Sequence, residues 1–220
     1  MAKTLDKPAD IVVATCTMGQ VTMEWAFGYR MQSFPMNMSV SLYNAKGYNV
    51  ADARSMCVEF ARQKNAKWLV FYDDDIIPHS KEAIMTLFYT MLGDDNIDIL
   101  SGVYPAKFEA APPIVWKDKW GGVDMGWKDG KVHEVYLGGT GLCIIRMSSL
   151  MALNVPMRRV GDLLLSDYFG SLERTDDVHL AEFVREQGQK WFVHGGVTAD
   201  QIRLDGRIYE LRCFSEGKTK

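Results

Sequence analysis

The chain is poor in the residues that staple small secreted domains or build metal knuckles. Its 220 residues include only four cysteines and four histidines. Cys16, Cys57, Cys143 and Cys213 lie far apart, without redox-pair or zinc-ribbon spacing. That excludes a disulfide framework and predicts reduced, mostly buried thiols in a cytoplasmic setting. No apolar run approaches the roughly 18 residues of a membrane span, and the opening MAKTLDKPAD lacks the apolar stretch of a secretory signal. An excess of one charge is missing too: 25 basic against 28 acidic residues leave a net charge of −3. Whole-surface affinity for nucleic acid is therefore not expected, although a local basic groove stays open. Internal repeats and linkers are absent. What remains, 47% hydrophobic and 24% charged, is an ordinary globular composition in a chain long enough to bury its own core.

The first half alternates strand and helix patterns. Residues 11–14 form a short apolar run that predicts a buried strand, followed by a loop through Thr15, Thr17 and Gly19. A helix is expected over 21–34, a half-buried strand over 36–42 and a second helix over 51–64. Trp68-Leu69-Val70-Phe71-Tyr72 is apolar or aromatic throughout, as a central strand covered on both faces would be. A helix over 80–92 and a strand over 97–103 complete an α/β pattern with a mostly parallel sheet. The second half is less regular. Asp129-Gly130 reads as a hairpin turn, residues 142–145 as a buried strand, and 154–174 as a long loop. A helix over 177–186 ends at Gly188, a strand follows over 190–193, and the tail from Thr198 is polar.

Asp73-Asp74-Asp75 directly follows the most apolar strand. Three adjacent carboxylates repel one another unless a cation offsets them, and parallel sheets bind ligands at the carboxyl ends of their strands. Oxygen ligands of this kind suit Mg²⁺ or Mn²⁺, with a diphosphate completing the shell. The competing reading is an acidic loop leading into the next helix. Asp176 and Asp177 likewise read either as catalytic carboxylates or as helix-capping residues. His194, after an apolar strand and before Gly195-Gly196, is a metal ligand or a satisfied buried imidazole. His79 and His133 read as surface residues and His179 as part of a helix face. Trp116, Trp120 and Trp127 either stack on a ligand or close a small core. Arg158-Arg159 either grips phosphate as a lid or is solvated.

Four segments together resemble the GT-A glycosyltransferases of the broad family 2-like group over about residues 10–200. Residues 68–75 resemble that family's hydrophobic strand and DXD motif, and Asn49-Val50-Ala51-Asp52-Ala53-Arg54-Ser55 resembles the start of the preceding helix. Residues 139–146 resemble the strand before the acceptor segment, and Thr175-Asp176-Asp177-Val178-His179-Leu180 resembles the acidic motif that opens a later helix. The resemblance implies a single GT-A domain over 1–220. Its donor half would be about 10–105, its acceptor half about 106–200 and its tail 201–220. It further implies transfer of a sugar from a nucleotide sugar, UDP-sugar first, to a hydroxyl acceptor by an inverting route.

In that reading Asp73, Asp75 and His194 hold Mn²⁺ or Mg²⁺, and Thr15, Thr17, Arg54, Asp73 and Asp74 face the nucleotide sugar. Asp177, or its neighbour Asp176, is the general base. The acidic residue that often reads uracil after the second strand is replaced here by Tyr43-Asn44. The acceptor is a carbohydrate or, in a phage-type enzyme, a modified DNA base approached across Lys117, Lys119, Lys128, Lys131, Arg158 and Arg159. A nucleotidyltransferase would be expected to carry a basic phosphate loop, and Thr15 to Gln20 holds no Lys or Arg. A noncatalytic carbohydrate-binding relative would be expected to have lost the acidic motifs.

Overall fold

The computed structural model describes residues 8–107, 112–120, 122–170 and 175–211. The chain opens with β1 (Ile11–Thr17), α1 (Met23–Met31), β2 (Val40–Lys46), α2 (Val50–Gln63) and β3 (Trp68–Tyr72). Next come β4 (Ile76–Pro78), α3 (Ala83–Gly93), β5 (Ile99–Val103) and β6 (Val115–Trp116). A 3₁₀ turn (Gly126–Asp129) leads to β7 (Val132–Val135), β8 (Leu137–Gly138), β9 (Leu142–Arg146) and α4 (Met147–Ala152). The chain closes with β10 (Met157–Val160), β11 (Leu163–Ser166), α5 (Asp176–Glu186), β12 (Trp191–Ile202) and β13 (Ile208–Tyr209).

The central sheet runs β2-β1-β3-β9-β5-β12-β13. β1 pairs parallel to β2 and β3, β12 pairs parallel to β5, and β9 lies antiparallel between β3 and β5. The central strands thus share one direction apart from β9, as the strand–helix alternation predicts. Alternating side chains divide the core into two layers. Val12, Leu69 and Phe71 pack with Ala53, Cys57 and Ala61 of α2 and with Leu180 and Val184 of α5. Ile11, Val13 and Val70 pack with Ile84, Leu87, Phe88 and Met91 of α3 and with Trp25 of α1. A strand clamped between two helical layers must be apolar on both faces, which is why β3 has no polar position. Cys16, Cys57 and Cys143 are buried and free; Cys213 lies outside the described residues. No helix among the described residues is long and apolar enough to cross a membrane.

Several sequence expectations are corrected. The second strand begins at Val40, not Met36, because register with β1 pairs Ile11 with Val40, while the Asp10 carboxylate holds the Ser39 N–H and hydroxyl. Asp129-Gly130 is no hairpin turn; it closes the 3₁₀ turn, with Gly130 left-handed at φ 75°. The supposed loop over 154–174 contains the β10–β11 hairpin, turned at Gly161 (φ 59°). Its strands carry exposed leucines, so no inside–outside alternation marks them. The strand expected over 190–193 runs on to Ile202 through an irregularity between Val193 and Thr198, so the polar stretch from Thr198 belongs to the sheet.

His79 is not a free surface residue. Its Nδ1 lies 2.8 Å from the Thr198 hydroxyl and its Nε2 3.0 Å from Asp200 of β12. Asp200 holds the imidazolium above its ordinary range. A raised folded-state value means the stabilisation is full below the unfolded pKa of about 6.5 and fades as pH rises through the folded value. The group is partly exposed, so roughly half a kcal/mol or less is expected. His79→Gln should therefore lower the melting temperature slightly at pH 5 and by less at pH 8, as thermal denaturation at the two pH values would show.

Candidate functional site

The acidic triad emerges where predicted, at the carboxyl end of β3. The Trp25 indole donates to the Asp73 carbonyl at 2.7 Å, and Asp73 N–H donates to Gly141 O at 2.8 Å, so the segment is fixed from α1 and from β9's approach. Arg54 of α2, only 3% exposed, straddles the site. Its two terminal nitrogens donate to Asp73 at 3.2 and 2.6 Å, its Nε donates to Asp176 at 2.5 Å, and its guanidinium lies over the Phe71 ring. One buried cation thereby joins two carboxylates 122 and 19 residues away. It turns to these acids rather than standing free for phosphate. Burial pushes the Asp73 carboxyl up, against the opposing pull of Arg54.

Asp176 and Asp177 open α5, yet neither is its cap. Thr175 occupies the cap position and makes no side-chain cap bond. Asp176 faces Arg54, whereas Asp177 accepts from the Thr140 N–H at 3.2 Å and from the Thr140 hydroxyl. Burial, then the adjacent Asp176, raises the Asp177 carboxyl to about 7, with Arg54 opposing. That value is suited to accepting a proton at neutral pH.

Asp74 and Asp75 line a cavity of about 470 Å³, together with Met18, Gln20, Thr22 and Lys107. Lys107 pairs with Asp75 Oδ2, while Asp75 Oδ1 is buried without a hydrogen-bond partner. Burial raises both carboxyls, opposed at Asp75 by Lys107 and at Asp74 by the Thr17 hydroxyl. Thr17 also accepts from Gly19 N–H at 2.9 Å. Thr15 is buried at the end of β1 with its hydroxyl unpartnered.

The orphaned Asp75 oxygen, with Asp74 on the same cavity, fits a hard divalent cation whose remaining ligands come from a phosphate group. Asp73, with both oxygens taken by Arg54, does not offer the same opening. His194 is not brought to the triad. It sits opposite Val132 of β7, whereas β12 meets the triad eight residues further on, where Ile202 N–H donates to the Asp75 carbonyl at 2.8 Å; the His194 Nδ1 accepts from Gly196 N–H at 3.1 Å. Burial holds its imidazole below the ordinary range. Among the described residues no three His, Cys, Asp or Glu side chains form a ready-made ligand cluster.

The sequence reading missed Tyr104, Thr140 and Lys107. Tyr104 is buried, and its phenol oxygen accepts from Gly141 N–H at 2.6 Å. Burial, then Asp177 and Asp73, keeps that phenol well above its usual range. A side chain at Gly139 would collide with the Tyr104 ring, so the Gly138-Gly139-Thr140-Gly141 run was the available signal. The tryptophans separate: Trp127 is buried, whereas Trp116 and the exposed Trp120 line a cavity of about 450 Å³ with Thr175, Val178 and Glu182. Arg158 is neither lid nor solvated, being bound to Asp52 of α2 and, at 2.8 Å, to Asp167.

No protein-family model matches the chain, and no curated protein matches it in sequence. Solved structures do match. A197 from STIV is similar with a TM-score of 0.62 and 14% identity, covering 96% of this chain and 98% of that one. The structure of GalNAc-T7 with UDP, GalNAc and Mn²⁺ gives 0.60 at 9% identity, over 92% of this chain and 45% of that one. The mannosyltransferase PcManGT from Pyrobaculum calidifontis, in complex with GDP-Man and Mn²⁺, gives 0.52 at 12% identity, over 87% and 56%. The chain thus spans about half the length of these two enzymes. At such identities the likeness is one of fold, and the fold is that of the GT-A glycosyltransferases.

Proposed function

We propose that the protein transfers a sugar from a nucleotide sugar, UDP-sugar first among candidates, to a hydroxyl acceptor with inversion, acting as one catalytic domain. The observation that carries the reading is Asp177. It is a buried carboxylate raised to about 7, oriented by Thr140, and it shares the charge of Arg54 with Asp73 at the carboxyl end of β3. The UDP, GDP-Man and Mn²⁺ named with the two transferase structures support the choice of donor and metal. Asp75 and Asp74 would hold the Mn²⁺ or Mg²⁺. When bound, such an ion neutralises charge growing on the leaving diphosphate. Lys107 adds a positive charge at the same cavity. The acceptor would enter beside Trp116 and Trp120, whose rings can stack on a sugar face. Its oxygen bonds the anomeric carbon as the bond to the diphosphate breaks, and its proton passes to Asp177. Arg54 touches no reacting atom; it fixes Asp73 and keeps Asp176 engaged, leaving Asp177 to take the proton. Tying Arg158 to Asp52 takes a strong cation away from any DNA-facing rim, so a carbohydrate acceptor is preferred.

Incubating the protein with a panel of nucleotide sugars and Mn²⁺ tests the proposal. Release of nucleoside diphosphate from one of them is the expected result. Binding of free sugar without turnover, or turnover of nucleoside triphosphates alone, would remove it. For the metal site, Asp75→Ala should abolish Mn²⁺-dependent donor binding in calorimetric titration. Fold stability should change little, because relief of repulsion offsets the lost pair with Lys107. Unchanged metal-dependent binding would exclude Asp75 as a ligand.

A further inference from the structure

Lys107 lines the acidic cavity just beyond the end of β5. Its backbone leaves a held base. Pro105 bridges Pro113 in antiparallel fashion, and Ala106 N–H donates to Pro112 O at 3.2 Å. From there the side chain reaches Oδ2 of Asp75, with Lys107 45% exposed and Asp75 17%. The second oxygen of that carboxylate stays buried without a hydrogen-bond partner. Other cations nearby are engaged elsewhere: Arg54 with Asp73 and Asp176, and Arg203, which lines the same cavity, with Asp205 at 3.9 Å.

The charges make this pairing a resting state rather than a fixed one. Asp74 and Asp75, both ionised, outweigh the single ammonium, so the carboxylates and lysine together repel a diphosphate. A divalent cation on the two carboxylates would reverse that sign and leave one positive charge in excess. It would also need oxygens of Asp75, one of which Lys107 now holds. Lysine suits such an exchange, because its ammonium is a point charge on a flexible four-carbon stem. Only side-chain torsions have to change, since the backbone before it is pinned.

We infer that Lys107 is an exchangeable counter-ion. It holds Asp75 while the carboxylate has no metal, gives it up to Mn²⁺ or Mg²⁺, and then pairs with the donor's diphosphate. Metal and nucleotide therefore bind cooperatively, each raising the affinity for the other by the same factor. The inference rests on the reading of this cavity as the metal and donor site.

Calorimetric titration with Mn²⁺ alone, and with UDP and GDP in EDTA or in saturating Mn²⁺, tests it. Lys107→Met should bind Mn²⁺ alone about fivefold more tightly than wild type, or better, because no ammonium has to be displaced. The same variant should bind nucleoside diphosphate much as wild type does in EDTA, where Asp75 holds the lysine. With Mn²⁺ its diphosphate affinity should fall by about fivefold or more. Lys107→Gln should behave alike, with circular dichroism confirming the fold of each. Arg203→Met removes an equal charge from the cavity, one paired with Asp205, and should show no such dependence on metal. Unchanged Mn²⁺ affinity in the Lys107 variants overturns the inference. So does an equal loss of diphosphate affinity with and without Mn²⁺, which would make Lys107 a fixed phosphate ligand. A wild-type chain that takes up neither Mn²⁺ nor either nucleotide removes the metal reading of the cavity itself, and the exchange with it.

Discussion

Asp177→Asn is expected to lower sugar transfer by about 10²- to 10⁴-fold, the contribution of a positioned general base. Asparagine keeps the shape and the oxygen that accepts from the Thr140 N–H, so the start of α5 should stay in place. Donor binding should survive, because Asp74 and Asp75 line a different cavity. The pH dependence separates this from a structural effect. Asp177 titrates at about 7 in the folded protein, so the wild-type rate should climb through neutral pH and then level as the carboxylate ionises. The residual rate of the variant should lack that limb. The same shift carries a stability sign. A carboxyl raised above its unfolded value favours the folded state while protonated, so its contribution falls as pH rises from about 4 towards 7. Wild type should lose stability over that interval, and Asp177→Asn should lose less. Transfer assays and urea denaturation across pH would show both, and a variant that transfers at the wild-type rate would take Asp177 out of the mechanism.

Arg54→Met is expected to be the most destabilising single change at the site. Methionine fills much of the stem's volume, but Asp73 and Asp176 lose the cation they share. Removing one partner from a buried pair costs about 3–5 kcal/mol because the remaining charge stays uncompensated. That is a large fraction of the roughly 5–15 kcal/mol that holds a domain together. The loss should shrink at acid pH. Without the guanidinium the buried Asp73 carboxyl rises further above its unfolded value and favours the fold when protonated, so the deficit should be smaller at pH 5 than at pH 8. Had Arg54 served mainly to grip donor phosphate, as the family resemblance implies, its removal would leave urea midpoints unchanged and weaken only nucleotide binding. Equilibrium denaturation at two pH values distinguishes the two roles.

The sequence by itself determined that β3 is a central strand and that three carboxylates stand at its exit. Five consecutive apolar or aromatic residues have no other stable place than between two helical layers, and the acids follow without a break. It also determined the α/β class, because helix and strand periodicities are local and survive whatever the rest of the chain does. The long stretch before α5 defeated it: the leucines of β11 point largely outward, so nothing in their order marks a strand.

The acidic residues show most clearly what only the tertiary structure decided. By type and spacing alone Asp73 and Asp75 were alike as metal ligands, and Asp176 and Asp177 were alike as bases. Arg54 then engages Asp73 and Asp176, and Lys107 takes one oxygen of Asp75 and leaves the other bare. Thr140 orients Asp177. Those partners arrive from positions 19 to 122 residues away in the chain. A carboxylate's proton affinity depends on burial and on the charge a few ångströms off, and neither is written in the residues beside it.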